Sequence, residues 1–340
     1  MAREIWDWFK EKLGAVKAWV AHLIKSAWLR LIGFLANLPA SVWKRVAIAL
    51  PLVFALYIVV GMALVHRIDD ALIVNLKVTP GTSATVEMVA DLVEREVVTH
   101  RWTPNDPFFM PAWWLDNTPA YQSGILSALS RFSIELRDQL GRNRGSSTVD
   151  SDLASAASNL AIEGERWVMD FNTSFLPTTP SETYYKDAIK QLRAYNTRLL
   201  DQQAVYEQRS DNFQMTLDRI AQDLGSASAT LDNYIDANAG GFLPDTGADD
   251  LFYQIKGKAY AYTLVLQSLE KDFSRVIADR DITTIYQELL KSMGAIIALD
   301  PLIVTNGQKD GVLANHLASQ GFNLLRARTQ LKEITNILLK

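Results

Sequence analysis

The chain has 340 residues, about half of them hydrophobic (49%), which is enough to bury a sizeable core and allows more than one domain. It contains no cysteine, which excludes disulfide staples, thiolate nucleophiles and cysteine metal sites. The net charge of -4 hides an asymmetry, because residues 1–45 carry eight Lys/Arg against three Asp/Glu and residues 66–340 carry 26 against 35. An acidic body does not attract a phosphate backbone, so nucleic acid is not expected as a partner, whereas the basic head suits a lipid surface.

Within the head, Ile5, Trp8, Phe9, Leu13, Val16, Val20, Leu23, Ala27, Leu31 and Phe34 recur at helical spacing with lysines and arginines between them. Trp6, Trp8, Trp19, Trp28 and Trp43, with Lys44 and Arg45, are the candidate membrane-interface residues, since an indole is apolar but its N–H wants a polar partner. The reading is a cytoplasmic, basic, Trp-rich amphipathic helix over 1–45 lying on the bilayer. The alternative, a second span over 18–40, would place Lys25 and Arg30 in hydrocarbon.

Residues 46–65, VAIALPLVFALYIVVGMALV, contain no charge, and twenty helical residues cover roughly 30 Å, the thickness of bilayer hydrocarbon. Lys44 and Arg45 precede this stretch and His66, Arg67, Asp69 and Asp70 follow it, so retention of positive charge inside predicts a single-pass type II topology. The apolar run is longer, and its preceding region far longer, than a cleaved signal peptide needs. Residues 66–81 then read as a stalk closed by Pro80 and Gly81.

The remainder, 82–340, is predicted to be an all-α, elongated helical bundle with long heptad-patterned antiparallel helices. Thr82 or Ser83 caps a helix bearing Val86, Val89, Val93 and Val97. WTPNDPFFMPAWWLD, residues 102–116, interrupts it with three prolines. Thr118 and Pro119 restart helix, GRNRGSSTVDSD breaks it, and Asp150 or Ser151 caps another that is expected to run past Gly164 and Trp167 to Phe171. From Thr179, a capping box with Glu182 opens a helix in which Tyr185, Leu192, Leu199, Tyr206, Phe213 and Ile220 repeat every seven residues. This predicts nearly sixty helical residues, roughly 90 Å, ending at Gly240 and Gly241, with Gly225 as the alternative point of division. A second heptad run, through Phe252, Ala259, Leu266 and Phe273, is expected to fold back antiparallel on the first, and two more helices complete the chain.

Two stretches are candidate sites. In the aromatic segment, Trp102, Asn105, Asp106, Trp113, Trp114, Asp116 and Asn117 could line a groove for glycan, with aromatic faces on sugar rings and polar groups on hydroxyls. The competing reading is a plug in which Trp102, Phe108, Phe109, Trp113 and Trp114 bury against helix faces. Glycan cleavage would need two flanking carboxylates, for which Asp106, Asp116, Glu135 and Glu163 are nominal choices. In the second stretch, Arg137, Arg142 and Arg144 with Ser146 and Ser147 could hold an anion, against the reading of an interhelical turn with solvated arginines. No metal or cofactor is expected: His22, His66, His100 and His316 lack ligand spacing, and GxSxG, GxGxxG and HExxH are absent.

WTPNDPFFMPAWWLDNTPAYQSG, followed by RFSIELRDQLGRNRGSSTVDSDL and the region of Trp167, resembles a family of uncharacterised bacterial inner-membrane proteins. The resemblance implies one span of the inner membrane and a periplasmic helical domain, without an activity or a catalytic residue. The expected function is a non-enzymatic envelope scaffold or adaptor that self-associates as a homo-oligomer or docks on another envelope protein through helix faces. The alternatives are a peptidoglycan-binding or glycan-cleaving domain, and a sensor domain that signals through a partner because the head holds no transmitter.

Overall fold

In the computed structural model, residues 39–74, 76–142, 149–169, 175–238, 246–301, 304–306 and 315–340 are described, together with 19, 22, 23, 25, 26 and 28–30 in the head. The described head residues other than Pro39 are helical, and Trp19, Leu23 and Trp28 are exposed; Trp6 and Trp8 lie outside the described residues. Among the described residues there is no strand, only an isolated bridge between Asn306 and Asn315. The protein is therefore all-α.

Two compact units are present, Met1–Val59 and Val60–Lys340. The first holds most of α1, Ala40–Val65, a 26-residue helix with a mean hydropathy of 2.7 in its most apolar window and only 6% of that window buried. Pro51 lies inside α1 without ending it. The last residues of α1, from Val60 onward, belong to the second unit.

Among its described residues, the second unit is built of helices joined by turns and irregular segments. Residues 66–81, expected as a stalk, carry no helix among the described residues and lay Ile68, Leu72, Val74 and Leu76 against the core. Next comes α2, Ala84–Glu94, whose N-cap Ser83 accepts from Val86 N. Asp272 reinforces this start, accepting from Ala84 N at 2.9 Å, Thr85 N at 3.0 Å and Ser83 Oγ at 2.7 Å, so a carboxylate meets three otherwise orphaned donors. A π-helical turn, Arg95–Thr99, continues α2, and a 3-10 turn, Pro111–Trp114, follows. Helix α3, Asn117–Glu135, is capped by Asp116 rather than Thr118 and runs on into a π-turn, Leu136–Leu140.

Helix α4, Ser151–Leu160, is capped by Asp150 and ends well before Gly164 and Trp167, which lie in the following loop. Its antiparallel partner is α5, Ser181–Leu200, whose Arg198 bridges Asp150 at 2.8 Å and Asp152 at 2.5 Å. The expected sixty-residue helix is thus two helices. Residues 201–209 turn the chain before α6, Ser210–Asn238: Gln202 takes a left-handed φ of 55°, the Tyr195 hydroxyl donates to Val205 O and Glu207 N donates to Leu140 O. The intervening DQQAVYEQR has neither glycine nor proline, so tertiary hydrogen bonds, not a local breaker, stop the helix. Gly225 lies inside α6 and divides nothing.

Helix α7, Thr246–Asp272, is followed by α8, Ser274–Asp279, α9, Thr283–Ile297, and α10, His316–Leu338. The expected pairing of α7 with the preceding helix is replaced. Helix α6 packs chiefly on α10, antiparallel, with Lys332 on Asp218 and Gly321 beside Leu231, while α7 packs chiefly on α3. The α3–α7 pair is parallel, since Pro119 and Ser123 share a cleft with Asp250 and Gln254 while Arg131 interacts with Tyr262. Two glycines allow its closeness: a Cβ at Gly124 would fall 1.9 Å from Gln254 O, and one at Gly257 2.1 Å from Tyr121 O. Phe213 and Phe273, stacked at 4.4 Å, and Tyr286 tie α6, α7 and α9 into one core.

Candidate functional site

The aromatic segment divides into an inner and an outer half. Arg101 turns the chain with a φ of 66° and drives Trp102 into the core, where its ring meets Tyr185 edge-on at 5.2 Å and its Nε1 donates to Gly164 O at 2.8 Å. The backbone N–H and hydroxyl of Thr103 both donate to Gln122 Oε1. Asn105 Nδ2 donates to Arg166 O at 2.9 Å and Glu182 Oε2 at 2.8 Å. Asp106 accepts from Arg101 at 3.0 and 3.1 Å; burial pushes its carboxyl above the usual range, and Arg101 opposes this. Trp102, Asn105 and Asp106 are therefore built into the core rather than presented to a groove.

The outer half faces away. Phe108 is 65% exposed, Trp113 53% and Trp114 52%, so the expectation that these rings bury against helix faces holds for Trp102 alone. They nevertheless form an ordered cluster. Trp113 and Trp114 meet edge-on at 5.1 Å, Trp114 Nε1 donates to Phe108 O at 3.0 Å, and Phe108 contacts Phe109, which in turn contacts Trp167 at 5.7 Å.

Beside this cluster, Asp116, Glu165, Asp250, Pro104, Leu115 and Gln254 line a cleft of about 590 Å³ between the start of α3 and the start of α7. With its amide turned so that nitrogen rather than oxygen faces the carboxylates, Asn117 bridges its acidic rim, donating to Asp116 at 3.2 Å and Asp249 at 2.8 Å. Burial, then Asp116 and Asp250, push the Asp249 carboxyl up to about 6; burial and Asp116 raise Asp250 as well. A carboxylic acid raised to about 6 among other carboxyl groups is a disposition that acid–base chemistry uses, and one that crowded acidic surfaces also produce.

The folded state thus holds the Asp249 proton more tightly than the unfolded chain, so this group lowers stability as pH rises from 3.8 to about 6. Asp249→Asn is expected to stabilise the fold on the order of 1 kcal/mol at pH 7.5, after allowance for solvent screening, and to do nothing at pH 4. Urea denaturation at the two pH values measures this; equal effects at both would contradict the assignment.

The remaining nominal carboxylates point elsewhere. Glu135 is buried and accepts from Arg219 Nε at 2.8 Å. Glu163 lines a separate cleft of about 690 Å³ with Arg131, Ser127 and Ser130. In the proposed anion stretch, Arg137 is held by its neighbour Asp138 at 2.7 and 2.8 Å, and Arg142 is half-buried; Arg144, Ser146 and Ser147 lie outside the described residues. Among the described residues no three His, Asp or Glu side chains converge as metal ligands would.

Sequence reasoning missed a buried polar network behind the aromatic segment. Arg95 Nη1 donates to the Tyr260 hydroxyl at 2.6 Å and its Nε to Glu96 at 2.8 Å, while its guanidinium lies 4.9 Å over the Tyr260 ring. The hydroxyls of Tyr121 and Tyr260 donate to Asp69 O and Ala71 O, both at 2.9 Å, and Gln122 reaches Glu96. Lys256, fully buried, has Nζ 2.8 Å from Asp70 and 3.5 Å from Asp300; the approach is off the line of a hydrogen bond, making it an ion pair. This network clamps residues 69–71 onto α2, α3 and α7. Its available signal was charge within apolar helix faces, at Arg95, Glu96 and Lys256.

A family model described as an uncharacterized protein conserved in bacteria (DUF2333) matches residues 74–239 and 244–340, which is the helical body beyond the apolar helix. No curated protein and no solved structure matches the chain.

Proposed function

The chain belongs to this bacterial family, and on that premise we propose that it is a membrane-anchored, non-enzymatic helical scaffold or adaptor of the cell envelope. In this reading the head is cytoplasmic, α1 crosses the inner membrane once, and the body is periplasmic. The observation that carries it is α1 itself. A helix with a mean hydropathy of 2.7 that buries 6% of its apolar window in protein leaves nearly all of that surface to another apolar medium, and a bilayer supplies one of the right thickness. The eight Lys/Arg of residues 1–45, Lys44 and Arg45 directly at the span among them, outnumber the single Arg67 directly beyond it, which supports the orientation.

The adaptor role draws support from α10, where Phe322 and Leu325 are 66% and 51% exposed one helical turn apart. Such a pair fits a helix of a second copy or of another envelope protein. A photoactivated cross-linker at position 322 or 325 in growing bacteria is expected to give a discrete adduct, either a dimer or a complex with one other protein. No adduct at either position, together with a strictly monomeric mass for the intact protein in detergent, would contradict the role. The glycan reading now rests on Trp113, Trp114, Asp116 and Asn117 alone, because Trp102, Asn105 and Asp106 are engaged in the core.

A further inference from the structure

We propose that the outer aromatic cluster, Phe108 with Trp113 and Trp114, is a second membrane contact, seated in the headgroup layer through which α1 emerges. The inference rests on the anchor reading above and adds to it the surface by which the body lies against the bilayer.

The position of the cluster is fixed by two contacts with the last residues of α1, all within the second unit. A Cβ built at Gly61 would lie 2.2 Å from Pro111 Cγ, so the absence of a side chain there is what lets the first residue of the 3-10 turn rest on the helix. Seven residues further along, the Thr118 hydroxyl lies 3.0 Å from His66 Nδ1, just beyond the end of α1. Residues 111–118 are thereby bracketed between Gly61 and His66. Gly61 precedes the last apolar residue, Val65, by four positions, or roughly 6 Å along the axis. The bracket therefore spans the level at which hydrocarbon gives way to headgroups.

What the bracket presents at that level has the chemistry of an interface anchor. Trp113 and Trp114 are each about half exposed, and Phe108 more so. Trp114 is locked by its bond to the backbone carbonyl of Phe108, and Trp113 packs edge-on against it, so the two indoles are held together as one wedge, while the Phe108 ring packs on Phe109 beside them. Indoles concentrate where an apolar ring can meet acyl chains while polar atoms stay wet, and a preformed wedge loses little conformational entropy on insertion. On an aqueous surface the same rings would stand as an uncovered apolar patch.

The absence of cysteine makes the test direct. Full-length protein carrying Phe108→Cys, labelled with an environment-sensitive fluorophore, is reconstituted into vesicles containing lipids spin-labelled near the headgroup. Trp113→Cys gives a second reading with Phe108 intact. Arg275→Cys on α8, whose side chain is 94% exposed, is the exposed control and Val53→Cys, within α1, the membrane control. Labels at 108 and 113 are expected to be quenched by the lipid probe and to show an iodide quenching constant about threefold or more below that at 275. Iodide quenching at 108 and 113 equal to that at 275, with lipid quenching retained at 53, would overturn the proposal while leaving the anchor intact. Protection from both quenchers would also overturn it, by assigning the cluster to a protein contact. Loss of lipid quenching at 53 would remove the anchor reading and this proposal together.

Discussion

Gly257→Ala is expected to loosen the helical body and lower its melting temperature markedly, and Gly124→Ala to do the same. In both positions the added carbon meets backbone: 2.1 Å from Tyr121 O in one case and 1.9 Å from Gln254 O in the other. A side-chain neighbour could change rotamer, but two carbonyls held inside α3 and α7 yield only if the helices separate. That separation would loosen the closest helix pair of the core along its length. Overpacking typically costs 1–3 kcal/mol, and a rigid backbone collision belongs at or above the upper end, about 3 kcal/mol, against a total stability of about 5–15 kcal/mol. Gly321→Ala is the control, because its nearest neighbour is Leu231 Cδ1 at an ordinary 3.8 Å, and the gain in helix propensity is about 0.5–1 kcal/mol. Thermal melts of the full chain followed by circular dichroism separate these cases. A Gly257→Ala protein melting with wild type would show that α3 and α7 do not approach as described.

The second large effect concerns Lys256. With Asp70 reduced to Asn, a fully buried ammonium keeps only the looser, mostly exposed Asp300, and stability is expected to fall by about 2–3 kcal/mol, the lower end reflecting the partial exposure of Asp70. Lys256→Met should cost less than this, because it removes the buried charge rather than stranding it. The double variant Asp70→Asn/Lys256→Met is then expected to be more stable than Asp70→Asn alone. Urea denaturation of the four proteins gives the coupling directly. Additive losses would mean that the ion pair contributes nothing and that residues 69–71 are held by the tyrosine hydroxyls and Arg95.

These two predictions mark where local sequence pattern stops carrying the structure. Much of the secondary structure is legible because its causes are local. The uncharged run 46–65 forms α1, Ser83 and Asp150 cap as their side chains allow, and the heptad residues from Tyr185 to Ile220 do face the core. The break after Leu200 has no local cause, since it depends on Tyr195, Val205 and Leu140 meeting across the fold. The pairing of α7 with α3 instead of α6 depends on Gly124 and Gly257, which read as weak spots in their helices until the partner backbone is seen. The aromatic segment was ambiguous for the same reason. Trp102 and Trp113 are the same residue type in one proline-rich run, and only the left-handed turn at Arg101 sends the first inward while the turn after Met110 leaves the second outside.

In the proposed topology, α1 carries the body across the membrane. Single cysteines placed at Lys340 and at Ala2 in the otherwise cysteine-free chain, probed in bacteria with a permeabilised outer membrane and an intact inner one, measure this most directly. A membrane-impermeant maleimide should label Lys340→Cys at once and Ala2→Cys only after the inner membrane is broken. Protection of Lys340→Cys in intact cells, or labelling of Ala2→Cys there, would contradict the proposed orientation.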